Sequence, residues 1–226
     1  FEKDDETGMV HFYGYPYFEE MDGLKRKKQF ERKREIAYNG SPQHFLKSLY
    51  NNTDRVEGFS IHKMVKAANP KKQPDKIIDE RIKTFSEKSR KRRDEKQRRV
   101  SLNYWTKMKV QPDTVEVMIR EEVKRNFLVH QKSPALKTLE FKDALYIVYR
   151  GEKEPKDYVK YSGLKIKRPD DFADYQISIV YGLKKSPAFY ENGGVFDPQS
   201  LLYEGMWAYE LVADMVPMDY EVPVKK

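Results

Sequence analysis

The sequence predicts an α+β fold, on three observations. Charged stretches in the first hundred residues carry sparse apolar positions at helical spacing. The second half carries alternating or continuous apolar runs of strand length. Hairpin chemistry, Asn192-Gly193, then sits between two such runs. The expected arrangement is a charged N-terminal helical hairpin and a basic helix, antiparallel strands in the second half, and a closing C-terminal helix.

In chain order, residues 9–18 are aromatic and read as a strand broken by Gly14 and Pro16. Residues 24–38 are charged throughout, with Phe30, Ile36 and Ala37 as the apolar positions, and read as an exposed helix stopped by Asn39-Gly40. Ser41-Pro42 restarts a helix, serine as N-cap and proline at the first helical position, with Phe45, Leu46, Leu49 and Tyr50 on one face. Phe59, Ile61 and Val65, partly alternating with Ser60 and His62, suggest a strand after the Gly58 turn. Asn69 to Pro74 has linker composition, and residues 75–100 read as one strongly basic helix, followed by Leu102, Tyr104 and Trp105. Residues 145–149 and 175–181 read as strands, residues 188–196 as a hairpin, and Asp197-Pro198 as the opening of a short helix or turn. Residues 206–216 read as a last helix with a Trp207, Leu211, Met215 stripe, stopped by Pro217. A single α+β domain over 1–226 is expected, mostly helical and basic over 1–105 and β-rich over 106–226.

Composition narrows the function classes. Of 226 residues, 13% are aromatic, which argues against disorder, while 35% are charged, above the usual ~25%, so a core should coexist with a heavily charged exposed segment. There is no cysteine, which excludes disulfides, thiol nucleophiles and cysteine-based metal centres. No apolar run approaches the ~20 residues a membrane span needs. The chain begins with Phe1 and no charged-then-apolar leader precedes its first elements, which predicts a processed protein or a piece of a longer one. The net charge of +8 is unevenly placed: residues 24–99 hold 24 Lys/Arg against 10 Asp/Glu, and residues 170–226 hold 4 against 10. A basic first half facing an acidic end implies intramolecular attraction or an anionic partner.

Motifs for chemistry are sparse. His11, His44, His62 and His130 stand in no tight metal-binding pair, and there is no nucleophile elbow, phosphate loop or dinucleotide glycine loop. No catalytic residue, metal or cofactor is expected. His44 lies beside the apolar face of its short helix, where a packed, hydrogen-bonded histidine is the commoner outcome. Glu210 and Asp214, four apart, would share a helix face, a spacing that admits paired-carboxylate chemistry but is commonplace on solvated helices. The ten Lys/Arg among residues 81–99, with Arg90, Lys91, Arg92, Arg93, Arg98 and Arg99 as the candidate face, offer a surface for an anionic partner. With Tyr104-Trp105 as stacking groups, residues 81–105 give an alternative reading as a nucleic-acid-binding module. Glu87, Asp94 and Glu95 interrupt the run and no nucleic-acid-binding motif accompanies it, so a solvated or envelope-facing helix is preferred. A third reading is a hydrolase or carbohydrate binder using carboxylates and exposed aromatics.

One ordered set of motifs is recognisable. Gly14-Tyr15 is followed by Glu31-Arg32-Lys33-Arg34, Ala37-Tyr38-Asn39-Gly40-Ser41, His44 to Tyr50, and Glu57-Gly58-Phe59. Far downstream come Tyr175-Gln176-Ile177-Ser178, Glu191-Asn192-Gly193-Gly194 with Asp197-Pro198, and a closing box from Trp207 to Tyr220. Over nearly its whole length the chain resembles the region after the regulatory-like domain in Bacteroidetes carboxypeptidase-like regulatory domain-containing proteins. The resemblance implies an upstream signal peptide and β-sandwich, export to the periplasm, outer membrane or cell surface, and no peptidase activity. It implies a non-catalytic envelope structural or interaction module whose partners are its own β-sandwich, an envelope protein, or an anionic lipid or glycan surface, with nucleic acid disfavoured. Asp113-Thr114-Val115 also fits the short O-glycosylation acceptor pattern of that phylum. Placement in these boxes points to a speculative cluster of Tyr38, His44, Trp207 and Asp214.

Overall fold

The computed structural model describes residues 2–6, 8–12, 14, 16–19, 26–86, 92–158, 166, 168–172, 174–210 and 214–223. The class is α+β, with antiparallel sheets. The chain divides into two compact units, one formed by residues 1–64 with 118–226, the other by residues 65–117. The second is thus an insertion in the sequence of the first, a division that differs from a break near residue 105.

In the larger unit, β1 (Glu2–Lys3) and β2 (Val10–His11) form a small hairpin, shorter than the strand expected over 9–18. Helices α1 (Lys27–Tyr38) and α2 (Pro42–Asn51) follow, joined by the predicted corner. Ser41 caps α2, its Oγ accepting from the His44 N–H at 3.1 Å, and Pro42 sits where no helical N–H is needed.

The five-stranded sheet has the order β10–β8–β7–β3–β4, from β3 (Phe59–Ala68), β4 (Thr114–Glu122), β7 (Ala144–Lys153), β8 (Tyr175–Gly182) and β10 (Leu201–Gly205). A three-stranded sheet, β5 (Val129–Ser133), β6 (Leu136–Leu139) and β9 (Ala188–Tyr190), runs in that order. Strand β7 explains why residues 145–149 read as a continuous apolar run: both of its faces are covered. Leu145, Ile147 and Tyr149 join α2, Phe59, Ile61, Leu139, Phe189 and Trp207 in the main core. Tyr146 and Val148 pack with Ile177, Ile179 and Phe172 on the other face.

Strands β4, β5, β6 and β10 carry no sequence expectation. The closing helix is corrected: α5 (Met206–Tyr209) is one turn long and ends at Glu210, whose backbone is extended. Leu211 of the expected stripe lies outside the described residues, and Met215 is 41% exposed. A four-residue segment cannot repay helix nucleation on its own. Its hydrogen bonds go instead to the fold, with the Trp207 N–H donating to Ser178 Oγ at 3.2 Å.

The smaller unit corrects the single basic helix. Residues 75–109 form two helices, α3 (Asp75–Ser86) and α4 (Arg92–Lys109), packed antiparallel: Lys109 Nζ meets Asp79 Oδ1 at 2.8 Å, and Arg98 reaches the Phe85 carbonyl at 2.5 Å. Each helix carries a narrow apolar stripe, Ile78, Ile82 and Phe85 on α3 and Leu102, Trp105 and Met108 on α4. One continuous helix would leave both stripes in water, whereas the fold-back buries Ile78 and Met108. Lys72 ties the base of the unit to Asp113 at 2.5 Å.

Candidate functional site

Three of the four clustered residues converge, around the backbone of Gly40. Tyr38 ends α1 and stacks on the His44 ring, with centroids 4.7 Å apart. The Gly40 N–H donates to His44 Nδ1 at 3.0 Å, and the Trp207 Nε1–H donates to the Gly40 carbonyl at 2.6 Å. A backbone N–H can only donate, so Nδ1 carries the lone pair and the neutral ring holds its proton on Nε2. Nε2–H donates to Glu57 Oε2 at 2.6 Å, and Thr53 Oγ1–H donates to the other Glu57 oxygen. Phe59 and Tyr149 close the sides of the imidazole at 4.9 and 5.6 Å between centroids. Burial lowers the His44 pKa against the opposing pull of Glu57.

Tyr38, His44 and Trp207 are each only 5–6% exposed. Both imidazole nitrogens are committed, so His44 has no lone pair to offer a reacting proton. The arrangement does the work of a brace, clamping the α1–α2 corner onto β7, β8 and α5. Asp214 is exposed, and its charge is felt at Glu210.

The expected pairing of Glu210 with Asp214 therefore survives electrostatically, although α5 ends before Glu210. Burial, then the charges of Asp214 and Glu152, push the Glu210 carboxyl up to about 8. Glu152 is raised by its own burial, against the lowering effect of the Asn39 and Gln176 amides, each 3.4 Å away. At neutral pH folded Glu210 keeps its proton while an unfolded chain would release it. Stability therefore falls as pH rises from the ordinary carboxyl value of 4.5 towards about 8. Glu210→Gln removes this dependence. Urea melts should show it level with the parent near pH 4.5 and gaining up to ~1.4 kcal/mol per pH unit towards pH 8. A gap that stays constant over that range would contradict the buried carboxyl.

The other histidines offer less. His62 Nδ1 meets the Arg120 carbonyl at 3.1 Å; its Nε2 and the neighbouring Ser60 Oγ are buried without a hydrogen-bond partner among the described residues, and burial lowers the His62 pKa. His130 lies 3.8 Å from Glu140 on the surface. Among the described residues, no group of three or more His, Cys, Asp or Glu is placed to hold a metal ion. No helix among them is long and apolar enough to cross a membrane.

The basic face is only partly described. Arg90 and Lys91 lie outside the described residues, and Arg92 and Arg93 open α4 with side chains outside them. Arg98 is turned inward, held by Glu95 at 2.5 Å and the Phe85 carbonyl. Arg99 is exposed. The Tyr104 and Trp105 rings meet edge-on at 84°, with Tyr104 exposed and Trp105 half-buried, so they do not make one flat stacking platform.

Sequence reasoning missed Glu57, Glu152, Gln176 and the Gly40 backbone as parts of the cluster. Only Glu57 left a signal: it lies thirteen residues after His44, directly before the strand that returns alongside it. Comparison with protein-family models, curated proteins and solved structures finds no match.

Proposed function

We propose that this chain is a non-catalytic interaction module of the bacterial cell envelope. The observation that carries the reading is the division of charge between the two units. Residues 65–117 hold 16 Lys/Arg against 8 Asp/Glu, a net +8, which equals the excess of 44 over 36 in the entire chain. The larger unit is therefore neutral in sum, and the net positive charge of the chain equals that of the inserted unit. A charge concentrated this way favours attraction to an anionic partner over self-association. The braced, water-excluded state of Tyr38, His44 and Trp207 supports a structural role for the one polar cluster that the sequence singled out. Export to the periplasm or outer membrane belongs to the same proposal and rests on the family resemblance.

Fractionation of cells that make the full-length protein tests it. Recovery with the envelope is the expected result. Recovery in the cytosol would overturn both the compartment and the partner class.

A further inference from the structure

We propose that the outward stripe of α4, formed by Lys96, Arg99, Val100, Tyr104 and Lys107, docks on an anionic lipid bilayer; the proposal rests on the interaction-module reading above. Positions 96, 99, 100, 103 and 107 follow the three- and four-residue steps of one helix face, with Tyr104 flanking it. The stripe runs about 16 Å along the axis at ~1.5 Å per residue. It is the face opposite the packing stripe of Leu102, Trp105 and Met108, and all five side chains are exposed, Val100 by 64% and Tyr104 by 55%. Lys96, Arg99 and Lys107 have no ion-pair partner among the described residues, whereas the inward Arg98 and Lys109 are neutralised by Glu95 and by Asp79 with Asp75. The inward cations are thus paired, by Glu95 and by the α3 carboxylates, and the outward ones carry their charge to solvent.

Charge complementarity alone would admit any polyanion, and the interleaved apolar groups decide between them. A phosphodiester backbone gains nothing from an exposed valine, and Tyr104 lacks a coplanar neighbour for base stacking. A bilayer interface rewards both groups, because Val100 enters the headgroup–acyl boundary and a tyrosine ring sits at headgroup level. The flanking Lys and Arg stems then reach the lipid phosphates while their chains cover apolar surface. The net +8 of the unit adds attraction at longer range, screened within about one Debye length.

Co-sedimentation of the 226-residue chain with phosphatidylglycerol vesicles and with phosphatidylcholine vesicles, at about 0.1 M salt, tests the assignment. Binding to the anionic vesicles alone is expected. Lys96→Gln/Arg99→Gln/Lys107→Gln should weaken it by about fivefold per cation, on the order of 100-fold together. Val100→Ser/Tyr104→Ser, with every charge intact, should weaken it several-fold. All five positions are exposed, so unchanged melting curves will show that the variants fold. The proposal is overturned by absent binding to phosphatidylglycerol, by binding that the charge variant leaves intact, or by binding indifferent to the Val100/Tyr104 change. Tighter binding of single-stranded DNA than of vesicles would overturn it in favour of a nucleic-acid partner. Failure in any of these ways with the full-length protein still in the envelope leaves the interaction-module reading standing; a cytosolic protein removes both.

Discussion

Gly40→Ala is expected to destabilise the larger unit by about 2–5 kcal/mol, from two separate causes. Gly40 has φ +79°, a left-handed conformation that costs an L-residue about 1–2 kcal/mol. An added Cβ would also stand 2.5 Å from Gln176 Oε1 and 2.7 Å from Tyr149 Cδ1, so both side chains would have to shift, the tyrosine ring at the greater cost. Overpacking of this kind costs typically ~1–3 kcal/mol. Against a total stability of roughly 5–15 kcal/mol the loss is large, and the thermal midpoint should fall by about 4–20 °C. Gly8 provides the control, since it has a similar φ of +71° and nothing within 4 Å of an added Cβ. Gly8→Ala should therefore cost only the backbone term, about 1–2 kcal/mol. If Gly40→Ala and Gly8→Ala melt alike, the corner is not packed as described.

That corner was legible in the sequence because its signals are local. Asn39-Gly40 stops one helix and Ser41-Pro42 starts the next, and each residue acts on its own backbone. The Asn192-Gly193 turn was readable for the same reason, as were β7 and β8, whose apolar residues face two cores. Strands β4, β5 and β6 were not readable. Thr114–Glu122 is an edge strand rich in Glu and Arg, Val129–Ser133 has one buried residue in five, and Leu136–Leu139 is four residues long. Their strand state is set by pairing with partners distant in sequence, which propensity cannot see. The basic segment misled in another way: its helical periodicity was real, but nothing local announced that two stripes would fold back on each other. Within the candidate cluster, residue types pointed to His44 and Trp207. The meaning of their convergence, a shared residue at Gly40, is a tertiary fact.

Trp207→Ala is expected to cost about 3–5 kcal/mol, the range for removing a large buried aromatic. The indole packs 5.3 Å from Phe45 and edge-on to Tyr203 at 5.5 Å, and fills core between α2 and β10. Trp207→Phe separates packing from hydrogen bonding. It keeps an aromatic ring in the core but deprives the Gly40 carbonyl of its Nε1–H donor, at about 1–3 kcal/mol for an unsatisfied buried acceptor. His44→Gln attacks the same residue at its N–H: the amide can still donate to Glu57, while the Gly40 N–H loses the Nδ1 acceptor. Because the two bonds anchor one residue, Gly40, through its N–H and its carbonyl, breaking either should release the corner and devalue the other. The double variant, measured by denaturant unfolding, should fall short of the sum of the singles by about 0.5–3 kcal/mol. Hydrogen exchange at the Gly40 amide should quicken in both single variants. Additive losses with the Gly40 amide still protected in Trp207→Phe would mean that His44 and Trp207 are neighbours in the core and not two halves of one clamp.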